Sequence, residues 1–280
     1  MQKEKDFLEQ YRLEDYPRPS VTADIVVFKL RSEETDNFRK DPKGYLSLLL
    51  IKRGGHPYLG HWALPGGFLA PGESIEECAL REVWEETTVE PASLMSIGLF
   101  SEPGRDPRGW IISNAFVSVI GTDEELQRSG DDAADAQWFD VDFEQEGDEY
   151  ILKLSRGDIN IRAVLEEEQS RFGATSYRIK DSGGLAFDHA RIIAQALSVL
   201  RNSARDFNVI FDFLPERFTL TELQNVHETV MNVSVLPANF RRKVADLVEE
   251  TDEYTEGAGH RPAKLFRRKK QAPDKTENKV

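Results

Sequence analysis

The chain has 280 residues, which predicts one large domain or two ordinary ones, and its 39% of hydrophobic residues can form a sizeable core. It has no apolar run of about 18 residues and no N-terminal signal pattern, so we expect a cytoplasmic protein without a membrane span. A net charge of −14 argues against general nucleic-acid binding by the whole molecule, and the single cysteine, Cys78, excludes an internal disulfide.

The first 140 residues contain most of the strand signals. Residues 1–20 predict a charged lead-in helix that ends at Pro17 and Pro19. Segments rich in apolar and β-branched residues then predict strands at Val21–Arg31, Tyr45–Lys52, His61–Pro65, Leu94–Phe100, Ile111–Gly121 and Ala136–Phe139. Strands arranged around one central helix indicate a mixed sheet with helices on its faces.

The central helix is predicted from Ser74 to Thr87. Ser74 and Glu77 form a capping-box pattern, and apolar residues follow at helical spacing. Three acids lie at i, i+3 and i+4 on one side of this helix: Glu82, Glu85 and Glu86. This side is not a normal solvent face, because Glu82 and Glu86 follow the apolar residues Ile75 and Ala79 by seven positions. Partly buried carboxylates repel unless a cation lies among them, and oxygen ligands suit Mg²⁺ or Mn²⁺. The alternative is a solvated acidic helix.

Glycine and proline in the preceding loop favour the metal-site interpretation, because they predict an ordered turn that a ligand can approach closely. Loop and helix together resemble the box of the Nudix hydrolases, with both spacings intact at Gly67, Glu73, Arg81, Glu82, Val83, Glu85, Glu86 and Val89. One position departs, since Thr88 stands where the family has glycine. We expect a local backbone adjustment there, because a left-handed helix end costs a β-branched residue about 1–2 kcal/mol.

The resemblance implies a fold and a set of site residues. The fold is a Nudix α/β/α sandwich, and the activity is hydrolysis of a diphosphate with Mg²⁺ or Mn²⁺ as cofactor. The metal would be bound by Glu82, Glu85 and Glu86. The catalytic set would comprise Glu85, Glu86, Arg81 and Glu73, with Arg81 orienting Glu85. Gly66 and Gly67 would line the substrate loop.

A second feature is the loop Glu102–Trp110, which carries Arg105 and Arg108. Guanidinium groups in a constrained loop suit phosphate oxygens, although a solvated turn is the alternative. Trp110 could stack on a base or pack in the core. The Asp-Pro-Arg-Gly run and the segment Leu185–Ala190 are similar to the ADP-ribose-handling branch of the family. This similarity implies that the ligand is ADP-ribose or a related nucleotide-sugar.

The middle of the chain carries no predicted chemistry. Asp140–Ser182 is interpreted as an insertion that decorates the first domain, with a strand at Tyr150–Leu154 and a helix near Arg162–Arg171. Asp188–Arg205 then predicts an amphipathic helix. We place the first domain at residues 1–205, the second at 206–270 and a disordered tail at 271–280.

The second domain predicts a helix-turn-helix. A capping signature at Thr219 and Glu222 opens a helix that ends near Asn232, and another helix begins at Pro237. Residues 257–268 predict a β-turn and strand that carry cations. From Leu236 onward the chain has eleven Lys and Arg against eight Asp and Glu, a net +3, so the remainder carries −17.

This region resembles the winged-helix module of Nudix-related transcription regulators. The resemblance implies DNA contacts from six residues: Asn239, Arg241, Arg242, Lys243, Arg261 and Lys264. A solvated basic helix is the alternative, and the acids at Glu249–Glu256, placed between helix and wing, weaken the positive surface. Because such proteins usually bind paired half-sites, a homodimer is expected.

Two functional hypotheses follow. The first is a metal-dependent pyrophosphohydrolase acting on ADP-ribose or a related compound, with DNA binding as a coupled role. The second is a transcription regulator whose Nudix domain senses such a ligand. Because the chain keeps every acid of the box, the first hypothesis takes precedence at this stage.

Overall fold

A computed structural model describes residues 2–32, 44–91, 93–121, 136–169, 175–207, 209–255 and 262–269. The helices of this part of the chain are α1 (Gln2–Gln10), α2 (Ile75–Thr87), α3 (His189–Arg205), α4 (Leu220–Met231) and α5 (Pro237–Val244). The strands are β1 (Ser20–Ser32), β2 (Gly44–Lys52), β3 (Trp62–Ala63), β4 (Gly66–Phe68), β5 (Met95–Phe100), β6 (Ile111–Ile120), β7 (Ala136–Glu146), β8 (Glu149–Arg156), β9 (Ile159–Gln169), β10 (Thr175–Asp181), β11 (Val248–Tyr254) and β12 (Lys264–Arg268). These bounds confirm the strands predicted up to residue 139 and five of the predicted helices, the first of which ends at Gln10.

The first ten strands form one mixed sheet. Its order is β10-β9-β8-β7-β2-β1-β6-β5, with β3 paired to β2 and β4 paired to β1. β1 runs parallel to β6 and antiparallel to β2 and β4. Since β1 is central and covered on both faces, its middle residues Ile25–Phe28 form a continuous apolar run that is fully buried. β4 leads directly into α2, which places the acidic helix beside the middle of the sheet.

Two hydrophobic cores lie on opposite faces of this sheet. On one face, Ile25 and Val27 of β1 pack with Cys78 and Val83 of α2. Cys78 is fully buried, as expected for a core residue. On the other face, the larger core contains α3 and continues without interruption into buried residues of the C-terminal domain such as Phe240. The two domains therefore share one core through α3.

The structure corrects the interpretation of Asp140–Ser182. Instead of a decorating insertion, β7 to β10 form an antiparallel meander that extends the main sheet from β2. The predicted strand at Tyr150–Leu154 is confirmed within β8, but the helix predicted at Arg162–Arg171 is wrong, since Ile159–Gln169 is strand β9. The core side chains Ile161, Ala163 and Leu165 are buried at alternate positions, which is the period of a strand.

The C-terminal domain has the predicted helix-turn-helix followed by a hairpin. Thr219 and Glu222 form the capping box of α4, and Pro237 occupies the first turn of α5. The hairpin pairs β11 with β12. The acids at Glu249–Glu256 were predicted to lie between helix and wing, and this placement is wrong for the described residues, because β11 is itself the first strand of the wing. The predicted tail 271–280 lies outside the described residues.

No helix in the described ranges is long and apolar enough to cross a membrane.

The end of α2 differs from the expected local adjustment. Thr88 itself adopts the left-handed conformation, with φ 57° and ψ 11°, and its N–H donates to the carbonyl of Trp84 at 2.9 Å. The helix therefore keeps the geometry that glycine favours and carries the cost of a β-branched residue there.

We expect Thr88→Gly to stabilise the protein by about 1 kcal/mol, because glycine adopts a left-handed conformation without steric cost. Thr88 is exposed, so the substitution removes little packing. Denaturant unfolding measures the change. Thr88→Ala is the control: it keeps a Cβ and should recover much less than the glycine variant. Equal stability of the wild type and the glycine variant would contradict the assigned strain.

Candidate functional site

The acids of α2 are organised around Arg81. Its Nε donates to Glu73 at 3.0 Å, and its terminal nitrogens donate to Glu73 at 2.8 Å, Glu82 at 2.7 Å and Glu85 at 3.3 Å. The predicted contact between Arg81 and Glu85 is present, and it is the longest of the four. The Arg81 guanidinium, helped by the Ala70 N–H, lowers the pKa of Glu73 to about 2. Arg81 thus ties the loop before α2 to the acidic side of the helix.

Glu86 occupies a different environment. Its carboxylate accepts a hydrogen bond from the Gly66 N–H at 2.9 Å and lines a cavity beside Arg53. Burial is the largest cause that raises the pKa of Glu86 to about 7, and the charges of Glu82 and Asp24 raise it further. Glu85, by contrast, has a side chain that is 56% exposed. The three acids therefore do not share one environment.

Two glycines of β4 allow close approaches, Gly67 to the acidic side of α2 and Gly66 to β1. A Cβ on Gly67 would lie 2.3 Å from the carboxylate carbon of Glu82. A Cβ on Gly66 would lie 2.2 Å from the backbone oxygen of Ala23 in β1. These two predicted site glycines bring the β4 backbone close to the acids.

The two arginines of the loop Glu102–Trp110 have different environments. Arg105 is buried and donates to Asp188 at 2.9 and 2.7 Å and to Asp24 at 3.5 Å. Arg108 is partly exposed and is held by Asp106, whose carboxylate accepts from Nε at 3.0 Å and from a terminal nitrogen at 2.7 Å. Of the two, Arg108 is the one that faces solvent.

Arg108 lies between two aromatic rings in a cleft. Its guanidinium carbon is 5.0 Å from the ring centre of Phe68 and 5.3 Å from that of Phe187. Arg53 approaches the Phe187 ring at 4.8 Å. Burial, followed by the positive charge of Arg108, lowers the pKa of Arg53. Two arginines around one ring make this cleft attractive to an anion that carries a planar group.

Arg53 also joins two cavities. One, of about 180 Å³, is lined by Arg53 together with Arg108 and Phe187. The other, of about 360 Å³, is lined by Arg53 together with Glu86. The acids of α2 and the arginine cleft therefore belong to one continuous surface.

A buried polar network forms the floor of the cleft. His189 accepts a hydrogen bond from the Leu64 N–H at Nδ1, 2.8 Å away, and its Nε2 lies 3.7 Å from Asp24. Burial lowers the pKa of His189, which favours the neutral imidazole. Ser113 and Arg105 donate to the same Asp24 carboxylate. This network connects the cleft to the first residue of α3.

Sequence reasoning missed several residues of the cleft: Asp24, Arg53, Asp106 and Phe187 lacked assigned roles. A partial signal existed, because the segment Leu185–Ala190 was singled out by resemblance, and it contains Phe187, Asp188 and His189. Trp110 is 57% exposed, so of its two alternatives, base stacking and core packing, the structure excludes core packing.

The predicted DNA-contacting residues of the C-terminal domain also differ in their environments. Asn239, Arg241 and Arg242 are exposed on α5, and Arg242 donates to the Asn239 side chain at 2.6 Å. Lys243 lies with its Nζ 4.9 Å from the ring centre of Phe207. Lys264 of the wing is paired with Glu250 at 2.6 Å, while the predicted contact residue Arg261 lies outside the described residues.

The donor chemistry fits a divalent cation, because Glu86 is a partly buried carboxylate that accepts a hydrogen bond from the uncharged Gly66 N–H, and the acids Glu82 and Asp24 lie near it. Within the described residues, however, no three His, Cys, Asp or Glu side chains are arranged as a ready metal-binding group. Glu82 and Glu85 are turned toward Arg81 instead.

Comparisons with known proteins match both parts of the chain. The NUDIX domain model matches residues 31–151, and the NrtR DNA-binding winged helix domain model matches residues 210–268. The ADPR responsive transcriptional repressor NtrR of Acinetobacter baylyi is 30% identical over 268 residues, covering 94% of this chain and 88% of the relative. An ADP-ribose pyrophosphatase of Methanocaldococcus jannaschii is 42% identical over 135 residues, covering 48% of this chain and 68% of the relative.

The fold agrees with a solved structure of the same architecture. The crystal structure of Shewanella oneidensis NrtR complexed with a 27mer DNA superposes with a TM-score of 0.56 at 27% identity, covering 89% of this chain and 93% of the other. Both the sandwich and the winged helix predicted from the sequence are confirmed by these matches. The chain therefore belongs to the Nudix family, in the group that carries a C-terminal NrtR-type winged helix domain.

Proposed function

We propose that this protein is a transcription regulator whose Nudix domain binds ADP-ribose or a closely related nucleoside diphosphate, and whose winged helix domain binds operator DNA. The arginine cleft is the observation that carries the ligand half of the proposal. The full-length similarity to an ADPR responsive repressor supports placing regulation ahead of hydrolysis, reversing the order that the acids of the box favoured.

The ligand would be bound by charge and by apolar contacts. Arg53 and Arg108 would pair with the diphosphate oxygens, since guanidinium groups donate two parallel hydrogen bonds to phosphate. Phe187 and Phe68, whose rings lie against Arg108, line the same cavity and would give a base apolar contacts. Arg105 would act indirectly, because its side chain is only 5% exposed and is held by Asp188 and Asp24. The Arg108 side chain is also paired, with Asp106, but it is 39% exposed, so a ligand can reach it. The role of Arg105 would be to hold the loop that presents Arg108.

The DNA would be bound by α5. Asn239, Arg241 and Arg242 lie exposed on the second helix of the helix-turn-helix, where side chains reach base edges and phosphates. The wing contributes less positive charge than its sequence suggests, since Lys264 and Arg267 pair with Glu250 and Glu249. A homodimer would place two copies of α5 on paired half-sites.

We expect ADP-ribose to change the affinity for a labelled DNA fragment from upstream of the protein's own gene by at least about fivefold, the lower end of ordinary allosteric coupling. Fluorescence anisotropy at fixed salt, with and without ADP-ribose, measures the effect. AMP is the matched ligand control, since it carries the base but lacks the diphosphate. No binding to promoter fragments, or equal affinity with and without ADP-ribose, would refute the proposal.

Metal-dependent hydrolysis of the same ligand is the second candidate function, and the complete set of acids in α2 favours it. Glu82, Glu85 and Glu86 would hold Mg²⁺ or Mn²⁺, which would neutralise the diphosphate and activate a water molecule. Arg81 and Glu73 would fix the loop and orient Glu85. Release of AMP from ADP-ribose, with Mg²⁺ and in a metal-free control, tests this function. Metal-dependent turnover would establish it, and thermal stabilisation by ADP-ribose without turnover would leave the cleft as a sensor.

A further inference from the structure

The residue that follows α3 has an unusual backbone. Phe207 adopts φ 61°, in the left-handed region, although it is not glycine. Its N–H donates to the Ala204 carbonyl at 3.1 Å, and its side chain is only 2% exposed. Such a conformation costs about 1–2 kcal/mol for a residue with a Cβ, so the surrounding contacts must maintain it.

Those contacts join Phe207 to both helices of the helix-turn-helix. Its ring stacks on His227 of α4, with centroids 4.8 Å apart and planes 14° apart. It also contacts Phe240 of α5 at 5.9 Å, and Lys243 of α5 lies over its face. His227 and Phe240 in turn contact each other at 5.6 Å. The ring of Phe207 is therefore a direct support of α5.

Helix α3, which ends just before Phe207, starts in the ligand cleft. His189 is the first residue of α3, and the preceding Asp188 binds Arg105. Between the two ends, Arg201 of α3 donates to the Phe143 carbonyl in β7 at 3.0 Å and to the Val230 carbonyl in α4 at 3.4 Å. A well-packed helix moves as a unit, so a displacement at the cleft end also displaces its other end.

We propose that Phe207 is the positioning residue through which the occupied cleft changes the DNA affinity of α5. The inference rests on the proposed function and adds the path by which ligand binding in the cleft reaches α5. Ligand contacts with the floor of the cleft would shift α3, and the ring of Phe207 would carry that shift to His227 and Phe240. His227 Nδ1 is buried without a hydrogen-bond partner in the described part of the chain, so packing rather than hydrogen bonding at that nitrogen maintains the contact.

The test is Phe207→Leu in the full-length protein, which keeps an apolar side chain but removes the stacked ring. We expect the ratio of DNA affinities with and without ADP-ribose to fall to within twofold of one. The affinity for ADP-ribose alone should stay within about twofold of wild type, because Phe207 lies outside the cleft. By reciprocity, DNA should no longer change the affinity for ADP-ribose in this variant. Anisotropy and calorimetry measure the two affinities.

Phe211→Leu is the matched control. Phe211 belongs to the same domain, and its ring contacts Phe218 and Arg268, so this variant removes an aromatic ring without removing the stack on His227. The Phe211→Leu variant should be somewhat less stable than wild type and keep the wild-type ratio of DNA affinities with and without ADP-ribose. If Phe207→Leu does not fold, Phe207→Met, with a flexible apolar side chain, is tested in the same way.

Two outcomes overturn the inference alone: a wild-type ratio in the Phe207 variants, or equal loss of the ratio in the Phe211 variant. A wild-type protein that does not bind ADP-ribose or DNA, or in which the two do not affect each other, removes both the inference and the proposed function. The wild-type measurement therefore separates the two failures.

Discussion

Glu86→Gln is expected to make the metal-free protein more stable at pH 8 and, at the same time, to remove its stabilisation by Mg²⁺. The pKa of Glu86 in the folded protein is about 7, while an unperturbed Glu ionises near 4.3. Between these values the folded carboxyl binds a proton that the unfolded one has released. Stability therefore falls as the pH rises through this window, and the full cost is present above pH 7.

Glutamine cannot ionise and still accepts the hydrogen bond from the Gly66 N–H, so it avoids that cost. We expect a gain of about 1–2 kcal/mol at pH 8, which largely disappears at about pH 4, where the wild-type carboxyl is mostly protonated in both states. Thermal unfolding in a chelating buffer at the two pH values measures the difference. Added Mg²⁺ should raise the melting temperature of the wild type and leave the variant unchanged.

Glu76→Gln is the control for this experiment, because Glu76 lies exposed on the first turn of the same helix. Its stability should change by no more than about 0.5 kcal/mol at either pH. A Glu86 variant that is less stable than wild type at pH 8 without metal would show that other groups already stabilise the charged, partly buried carboxylate. Undiminished stabilisation by Mg²⁺ would show that the metal is bound elsewhere.

Arg241→Ala combined with Arg242→Ala is expected to reduce DNA affinity by at least about tenfold at moderate salt. If both side chains contact phosphates, the slope of log affinity against log salt should fall by about two. Both residues are exposed, so the fold should be unaffected. Anisotropy titrations at several salt concentrations measure affinity and slope together.

The matched control is Lys264→Ala combined with Arg267→Ala, which also removes two positive charges. These side chains are paired with Glu250 and Glu249 in the wing, so much of their charge is already neutralised. We expect a smaller loss of affinity and a smaller change in salt slope than in the α5 variant. A larger loss from the wing variant would instead identify the wing as the main DNA contact.

Prediction from the sequence worked best where the signal was local. The capping boxes at Ser74 and Thr219 depend on residues three positions apart, and both are present in the structure. It failed at β9, where a run of glutamates favours a helix in isolation. There Glu166 instead pairs across the sheet with Lys180 and Arg178, contacts that a helix assignment could not anticipate.

The roles of the two loop arginines needed the tertiary structure. Arg105 and Arg108 are three residues apart and chemically identical, so no local pattern separates them. Asp188 approaches Arg105 from 83 positions away and occupies it, while Arg108 remains at the surface of the cleft. Arg53 became a site residue for the same reason, because α3 and the preceding segment bring Phe187 beneath it.

The sequence by itself determined the family box, the acidic side of α2 and the helix-turn-helix, because helical periodicity, caps and motif spacing are properties of neighbouring residues. Only the tertiary structure decided which charges are free. Strand pairing and the packing of α3 bring distant partners together and neutralise Arg105 and Lys264, while Glu86 becomes partly buried. They also place Phe207 between the ligand domain and the DNA-binding helix, where its contacts come from three separate segments of the chain.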